Sequence, residues 1–283
     1  MFKFILAAAS LLACTLASPL DLPDKKAGTG PYPASCFTEP ALANFTFYMP
    51  TAPPSDLQLP VLLFGEGGCQ NNGTKFEPFL TEIASHGFLV VANGPPNGTG
   101  NTSAQYQRAA STWIHAHAGT TGRYSGVDAS RMAAAGQSCG GLETYAQREN
   151  PLVSYLGIFN SGFLPGGASN PNLPDGTINE DPATIAEVHK PVFYFLGGPT
   201  DIAYANGERG YHNLSGVPKW IGNFNVGHSG TYREPNGGAF GVAAVQWLQW
   251  VLQKNETASL FFTAEGAQKA NWTEVESEGL DRL

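Results

Sequence analysis

Short apolar runs recur along the 283-residue chain, and each ends at a glycine or an asparagine. Residues 61–64 (VLLF), 88–92 (FLVVA), 132–135 (MAAA), 155–159 (YLGIF) and 191–196 (PVFYFL) are continuous rather than alternating. That is the signature of a strand covered on both faces. Residues 44–49 (NFTFYM) alternate and are aromatic, which predicts an earlier strand, and 220–226 predict a late one. Between the runs the period changes. Residues 76–86 place Phe76, Phe79, Leu80 and Ile83 at helical spacing and stop at Gly87. Helices are also predicted over 103–117, 141–148, 182–189 and 240–252, the last with Trp247 and Trp250. Strands alternating with helices predict an α/β protein: a largely parallel central sheet with helices on both faces.

Composition adds a compartment. Lys3 precedes the apolar run 4–16, and Thr15-Leu16-Ala17 offers a small-residue cleavage site, so residues 1–17 read as a secretory signal peptide. The run is too short to span a bilayer. A lipobox-like Leu11-Leu12-Ala13-Cys14 offers a lipoprotein reading. Against it stand seven N-x-S/T sequons, at Asn44, Asn72, Asn97, Asn101, Asn213, Asn255 and Asn271, the density of a secreted glycoprotein. Residues 18–43 are rich in Pro, Gly and Asp and read as an extended arm. The net charge is -8 with no cluster of Lys or Arg, which argues against nucleic acid and against anionic membranes as partners.

The chemistry centres on Gly136-Gln137-Ser138-Cys139-Gly140, between a predicted strand and a predicted helix. This is the G-x-S-x-G nucleophile elbow, a sharp turn that holds a serine hydroxyl above a sheet. Parallel sheets place chemistry at the carboxyl ends of their strands. Ser138, Asp201 and His228 each follow a predicted strand at that end, in the order Ser…Asp…His. Serine is a weak nucleophile until a base takes its proton. Histidine can do so near neutral pH, and a carboxylate on its other nitrogen fixes the tautomer. The N–H of Cys139 and one from Glu66 or Gly67, in the glycine loop after the 61–64 strand, are the candidate oxyanion donors. Asn160 and Ser161, at the end of the 155–159 strand, are candidate substrate contacts. The Cys and His spacings suggest no metal site, and no cofactor is called for.

These pieces resemble the α/β-hydrolase superfamily. Within it the chain is similar to dienelactone-hydrolase-like and cutinase-like secreted serine esterases. The resemblance rests on PVLLFGEGGC, ASHGFLVVAN, AAGQSCGG, FYFLGGPTDIAY, and NVGHSG followed by a helix ending WLQWVL. It implies an α/β-hydrolase domain over 44–254, a Ser138/Asp201/His228 triad, and hydrolysis of carboxylic esters, either small molecules or polymers; acyl transfer or peptide hydrolysis by the same triad, and a non-catalytic binding protein on this fold, are the alternative readings. Residues 255–283 are expected to pack on that domain as a tail with no assigned element. In the inferred fold the loops bearing Cys69 and Cys139 are neighbours, so a Cys69–Cys139 disulfide across the oxyanion hole is expected, leaving Cys36 over. A Cys36–Cys69 bridge and simple buried thiols remain the competing readings.

Overall fold

The computed structural model describes residues 28–167 and 179–283. The predicted signal peptide and residues 168–178 of the long connection lie outside the described residues. The strands are β1 (Ala34–Phe37), β2 (Phe45–Pro50), β3 (Leu59–Gly65), β4 (Leu89–Asn93), β5 (Val127–Gln137), β6 (Tyr155–Phe159), β7 (Val192–Leu196), β8 (Lys219–Asn223) and β9 (Thr273–Glu278). They form one mixed sheet in the order β1-β2-β4-β3-β5-β6-β7-β8-β9. From β4 across to β8 every neighbouring pair is parallel. The antiparallel strands β1, β2 and β9 finish the two sides.

The side-chain alternation along each strand divides the core in two. Leu62, Phe64, Ala133, Ala135, Phe193 and Phe195 face one layer. There they meet Phe79 and Ile83 of α1 (Glu77–Ser85) and Trp247 and Leu248 of α5 (Gly238–Gln253). Val61, Leu63, Ala134, Leu156 and Tyr194 face the other. On that side lie Ala110 and Ile114 of α2 (Gln105–His117), Leu142 and Tyr145 of α3 (Cys139–Tyr145), and Tyr211 of α4 (Tyr204–Asn213). Each large side chain buried this way contributes roughly 1.5–3 kcal/mol. Helices on both faces explain why the central strands are apolar throughout. Among the described residues, no helix is long and apolar enough to cross a membrane.

Two parts of the organisation differ from the sequence reading, and the tail packs on the domain as expected, with elements the sequence left unassigned. The arm is not wholly extended surface chain, since its residues 34–37 pair with β2 as β1. The segment after Asp201, assigned no element from the sequence, is helix α4 and carries His212. The tail is built into the fold: it forms the short helices α6 (Glu256–Ser259) and α7 (Ala264–Lys269), buries Phe262 and Trp272, and adds β9 beside β8. β9 reads TEVESE and is mostly exposed, a charged edge that discourages pairing with other chains.

The register sets up the site. Gly65 at the end of β3 is the partner of Gly136 on β5. The loop after β3 and the elbow after β5 therefore start side by side.

Candidate active site

The chain turns from β5 into α3 through Ser138, whose φ of 55° and ψ of -117° lie outside the ordinary regions. Such a conformation persists only where its surroundings over-determine it. Here the Ser138 N–H donates to Phe159 O at 2.9 Å, and Ser138 O accepts from Gly141 N at 2.9 Å and Ser161 Oγ at 2.6 Å. The motif's glycines are required by contact. A Cβ on Gly136 would meet the Gly140 carbonyl at 2.2 Å, and one on Gly140 would meet Gly65 O at 2.0 Å.

The three reactive residues predicted from sequence come together. His228 Nε2 lies 2.8 Å from Ser138 Oγ, and His228 Nδ1 lies 2.6 Å from Asp201 Oδ1. Burial by itself raises the Asp201 carboxyl. Hydrogen bonds from His228, Ala203 N–H and Asn160 outweigh it and hold Asp201 below the usual carboxylate range. An ionised carboxylate only accepts. The shared proton therefore belongs on His228 Nδ1, and the Nε2 lone pair is left facing the serine hydroxyl. The arrangement can take the serine proton and return it to a leaving group.

Asn160 and Ser161 do not line the cleft as predicted. Asn160 Nδ2 donates to Asp201 Oδ2 at 2.8 Å, while its Oδ1 accepts from the Tyr232 hydroxyl. Ser161 is spent on the elbow carbonyl. Both are buried, since the end of β6 turns inward beneath the trio. They orient reactive groups from behind. Tyr232 has no sequence signal at all. Gln137 sits inside the motif, and its Nε2 donates to His228 O at 3.0 Å, tying the histidine loop to the elbow.

Ser138 and His228 open on a cleft of about 410 Å³ that Gly67, Gly68, Gln137 and Lys75 also line, a volume that suits a small molecule. Cys139 is the first residue of α3, where an N–H has no intrahelical acceptor. Gly67 faces the cleft, and its carbonyl accepts from Lys75 Nζ at 2.5 Å. The Glu66 side chain instead turns into the interior, where both carboxylate oxygens lack a partner. The cysteine prediction holds in its specific form: Cys69 and Cys139 are bridged, with Cα atoms 5.1 Å apart. Cys36 is not left over, because no cysteine among the described residues is free.

Other histidines and aspartates of the chain are engaged elsewhere. His86 contacts Glu82, His117 stacks on Trp113, and His212 contacts Glu208. Asp128 pairs with Arg131, and Asp181 accepts from Ala183 N–H at a helix start. Asp175 lies outside the described residues. Among those residues, no group of three or more His, Cys, Asp and Glu is placed to hold a metal ion.

Two buried acids flank the elbow. Burial pushes Glu66 up, with Lys75 opposing. Burial also pushes Glu143 of α3 up to about 7, against hydrogen bonds from Thr102 and Asn93. Native Glu143 thus holds its proton more tightly than the unfolded chain does. Its stabilisation is complete below its ordinary value of 4.5 and is lost as pH rises through about 7. At about 1.4 kcal/mol per tenfold change in proton affinity, the swing is about 3 kcal/mol. Urea unfolding of wild type and Glu143→Gln at pH 5 and pH 8 checks this. The wild type is expected to lose stability at the higher pH and the variant to lose distinctly less. Equal pH dependence in the two proteins would remove Glu143 as the cause.

Neither a protein-family model nor a curated protein matches the chain.

Proposed function

We propose that this protein is a secreted serine hydrolase of α/β-hydrolase type that cleaves carboxylic esters through an acyl-enzyme. One observation carries the reading. His228 bridges Ser138 and Asp201 at 2.8 and 2.6 Å, with the serine on a left-handed turn between a strand and a helix. The chain order and the glycine loop after β3 support it, since both belong to the nucleophile-elbow arrangement. The buried Cys69–Cys139 bridge supports an oxidising compartment and, with it, secretion.

In this reading Ser138 Oγ attacks the acyl carbon while His228 Nε2 takes its proton. The tetrahedral oxyanion accepts hydrogen bonds from the Cys139 N–H and from the Glu66 or Gly67 N–H. His228 then protonates the departing alcohol. Water, deprotonated by the same histidine, attacks the acyl-serine; as the second tetrahedral intermediate collapses, His228 returns that proton to Ser138 Oγ and the acid leaves. Asp201 stabilises the imidazolium at each stage and stays ionised. Every step uses side chains and backbone amides, so the reading calls for no cofactor. The substrate is a small ester or an ester group presented by a larger molecule.

A fluorophosphonate probe tests the nucleophile directly. The folded protein is expected to be labelled on Ser138, with labelling lost in Ser138→Ala and after heat denaturation. A folded wild type that stays unlabelled while hydrolysing no short p-nitrophenyl ester would end the proposal.

A further inference from the structure

The seven sequon asparagines share a property that the sequence does not reveal. Six are exposed and Asn72 is half-buried. None donates a hydrogen bond from Nδ2 among the described residues. The exposed Asn225, outside any sequon, shares this, whereas several more enclosed asparagines do not. Asn71, one position from a sequon, spends its amide on Thr99 O, and Asn93 spends its amide on Glu143. Asn150, Asn160, Asn179 and Asn223 likewise donate from Nδ2 to protein partners. Among the described residues, no protein group accepts from the nitrogen that would carry a sugar at any sequon.

Three of these asparagines lie on two strapped segments that adjoin cleft-lining residues. Residues 97–102 are strapped along residues 69–74. Asn71 N–H donates to Gly100 O at 2.9 Å, Thr102 N–H donates to Cys69 O at 2.7 Å, and Gln70 bridges Asn101. Asn72 and Asn97 both meet the Thr74 hydroxyl through Oδ1, at 3.0 and 3.5 Å. Their oxygens are turned to the protein, and their nitrogens are not. The two ends of the 69–74 segment run directly into Gly67, Gly68 and Lys75, which line the cleft beside Ser138. Residues 229–234, five of which also line the cleft, contain no sequon.

We propose that N-linked oligosaccharides on Asn72, Asn97 and Asn101 form a hydrophilic wall beside the Gly67–Gly68 edge of the cleft, so that a flat ester surface cannot seat on the site. The inference rests on the secreted-esterase reading. In each transfer the asparagine Nδ2 forms a bond to the anomeric carbon of an oligosaccharide carried on an isoprenoid pyrophosphate. The sugar–phosphate bond breaks, the lipid pyrophosphate leaves, and the amide gives up one proton. The product is bulky and strongly solvated. Three such groups beside the cleft obstruct a planar, insoluble substrate while leaving a small soluble ester free to diffuse past.

The test uses the full chain produced in a eukaryotic secretory host. Enzymatic deglycosylation in heavy-oxygen water, followed by peptide mapping, is expected to label Asn72, Asn97 and Asn101. Unlabelled peptides at these three positions would overturn the proposal. Occupied glycans are then trimmed to one sugar on the native protein, which changes no residue and avoids any folding defect of an Asn→Gln variant. Turnover of a soluble short ester is expected to stay within about twofold, whereas turnover on insoluble polyester particles rises about tenfold, equivalent to about 1.4 kcal/mol. Adsorption to the same particles is measured in parallel and is expected to rise, a readout that needs no catalysis. Adsorption unchanged by trimming would overturn the wall. Silence on the soluble ester before and after trimming would instead overturn the esterase reading, with the labelling and adsorption results still standing.

Discussion

Ser138→Ala is expected to lower kcat on a short soluble ester by about 10⁵–10⁶-fold, with folding intact. A loss of 10⁵ corresponds to about 7 kcal/mol of barrier. Most of it comes from covalent chemistry, because without Oγ no acyl-enzyme forms and His228 has no proton to take. The residual rate reflects oxyanion stabilisation and binding alone. His228→Ala should be comparable, since the two residues act as one unit and their losses do not add. Asp201→Asn differs in kind. The amide can donate, so it permits the wrong tautomer and places a proton on Nε2, where the lone pair is needed. A loss of about 10⁴ is expected from that alone. The buried environment sharpens the effect: Asp201 is also the acceptor for Asn160 Nδ2 and for the Gly197 and Ala203 N–H groups. Steady-state kinetics with a p-nitrophenyl ester and far-UV circular dichroism of each variant decide it. A folded Ser138→Ala variant with wild-type turnover would show that the nucleophile lies elsewhere.

The parts of the fold legible in sequence are those where burial writes a pattern. The 61–64 and 191–196 runs are apolar because their strands are covered on both faces, and each observed strand lies within a few residues of its prediction. Other elements were hidden for physical reasons. Helix α4 reads YANGERGYHN, and its glycines suggest a loop. In the structure those glycines are packing residues. A Cβ on Gly207 would meet Leu196 at 2.6 Å, and one on Gly210 would meet the Tyr145 and Tyr194 hydroxyls at 3.2 Å. Strand β9 is charged because it is an exposed edge, and β1 has only four residues. At the site, the motif and chain order were enough to bring Ser138, Asp201 and His228 together. The supporting residues were not readable. Asn160 and Ser161 follow a strand at its carboxyl end, as reactive residues do, yet they point inward. Tyr232 reaches Asn160 across 72 residues, a pairing with no local pattern.

Removing the Cys69–Cys139 bridge is expected to have the second large effect, on stability first and on catalysis second. The bridge closes a separation of 70 residues. In the chain-entropy model a loop of that size contributes about 4 kcal/mol by restricting the unfolded chain, with strain and residual structure able to reduce it. For a domain of this size that corresponds to a fall of roughly 10 °C in Tm. The catalytic effect comes from where the bridge sits. Gly68 and Cys69 adopt consecutive left-handed conformations, with φ of 68° and 47°, in the turn that presents Gly67 to the cleft. Cys139 belongs to the elbow itself. The disulfide therefore fixes both candidate oxyanion donors against each other. Loss of a whole donor costs about 10²–10³ in kcat. A loosened pair held in part by Lys75 on Gly67 O should cost less, about tenfold, with little change in KM. Both cysteines are buried, so the native bridge should resist mild reductant and yield only on unfolding. A Cys69→Ala/Cys139→Ala double variant, compared with wild type by thermal unfolding and steady-state kinetics, separates the two roles. A lower Tm with unchanged kcat would restrict the bridge to stability. An unchanged Tm would refute the entropic contribution, and Cys139 alkylated without reduction would remove the bridge altogether.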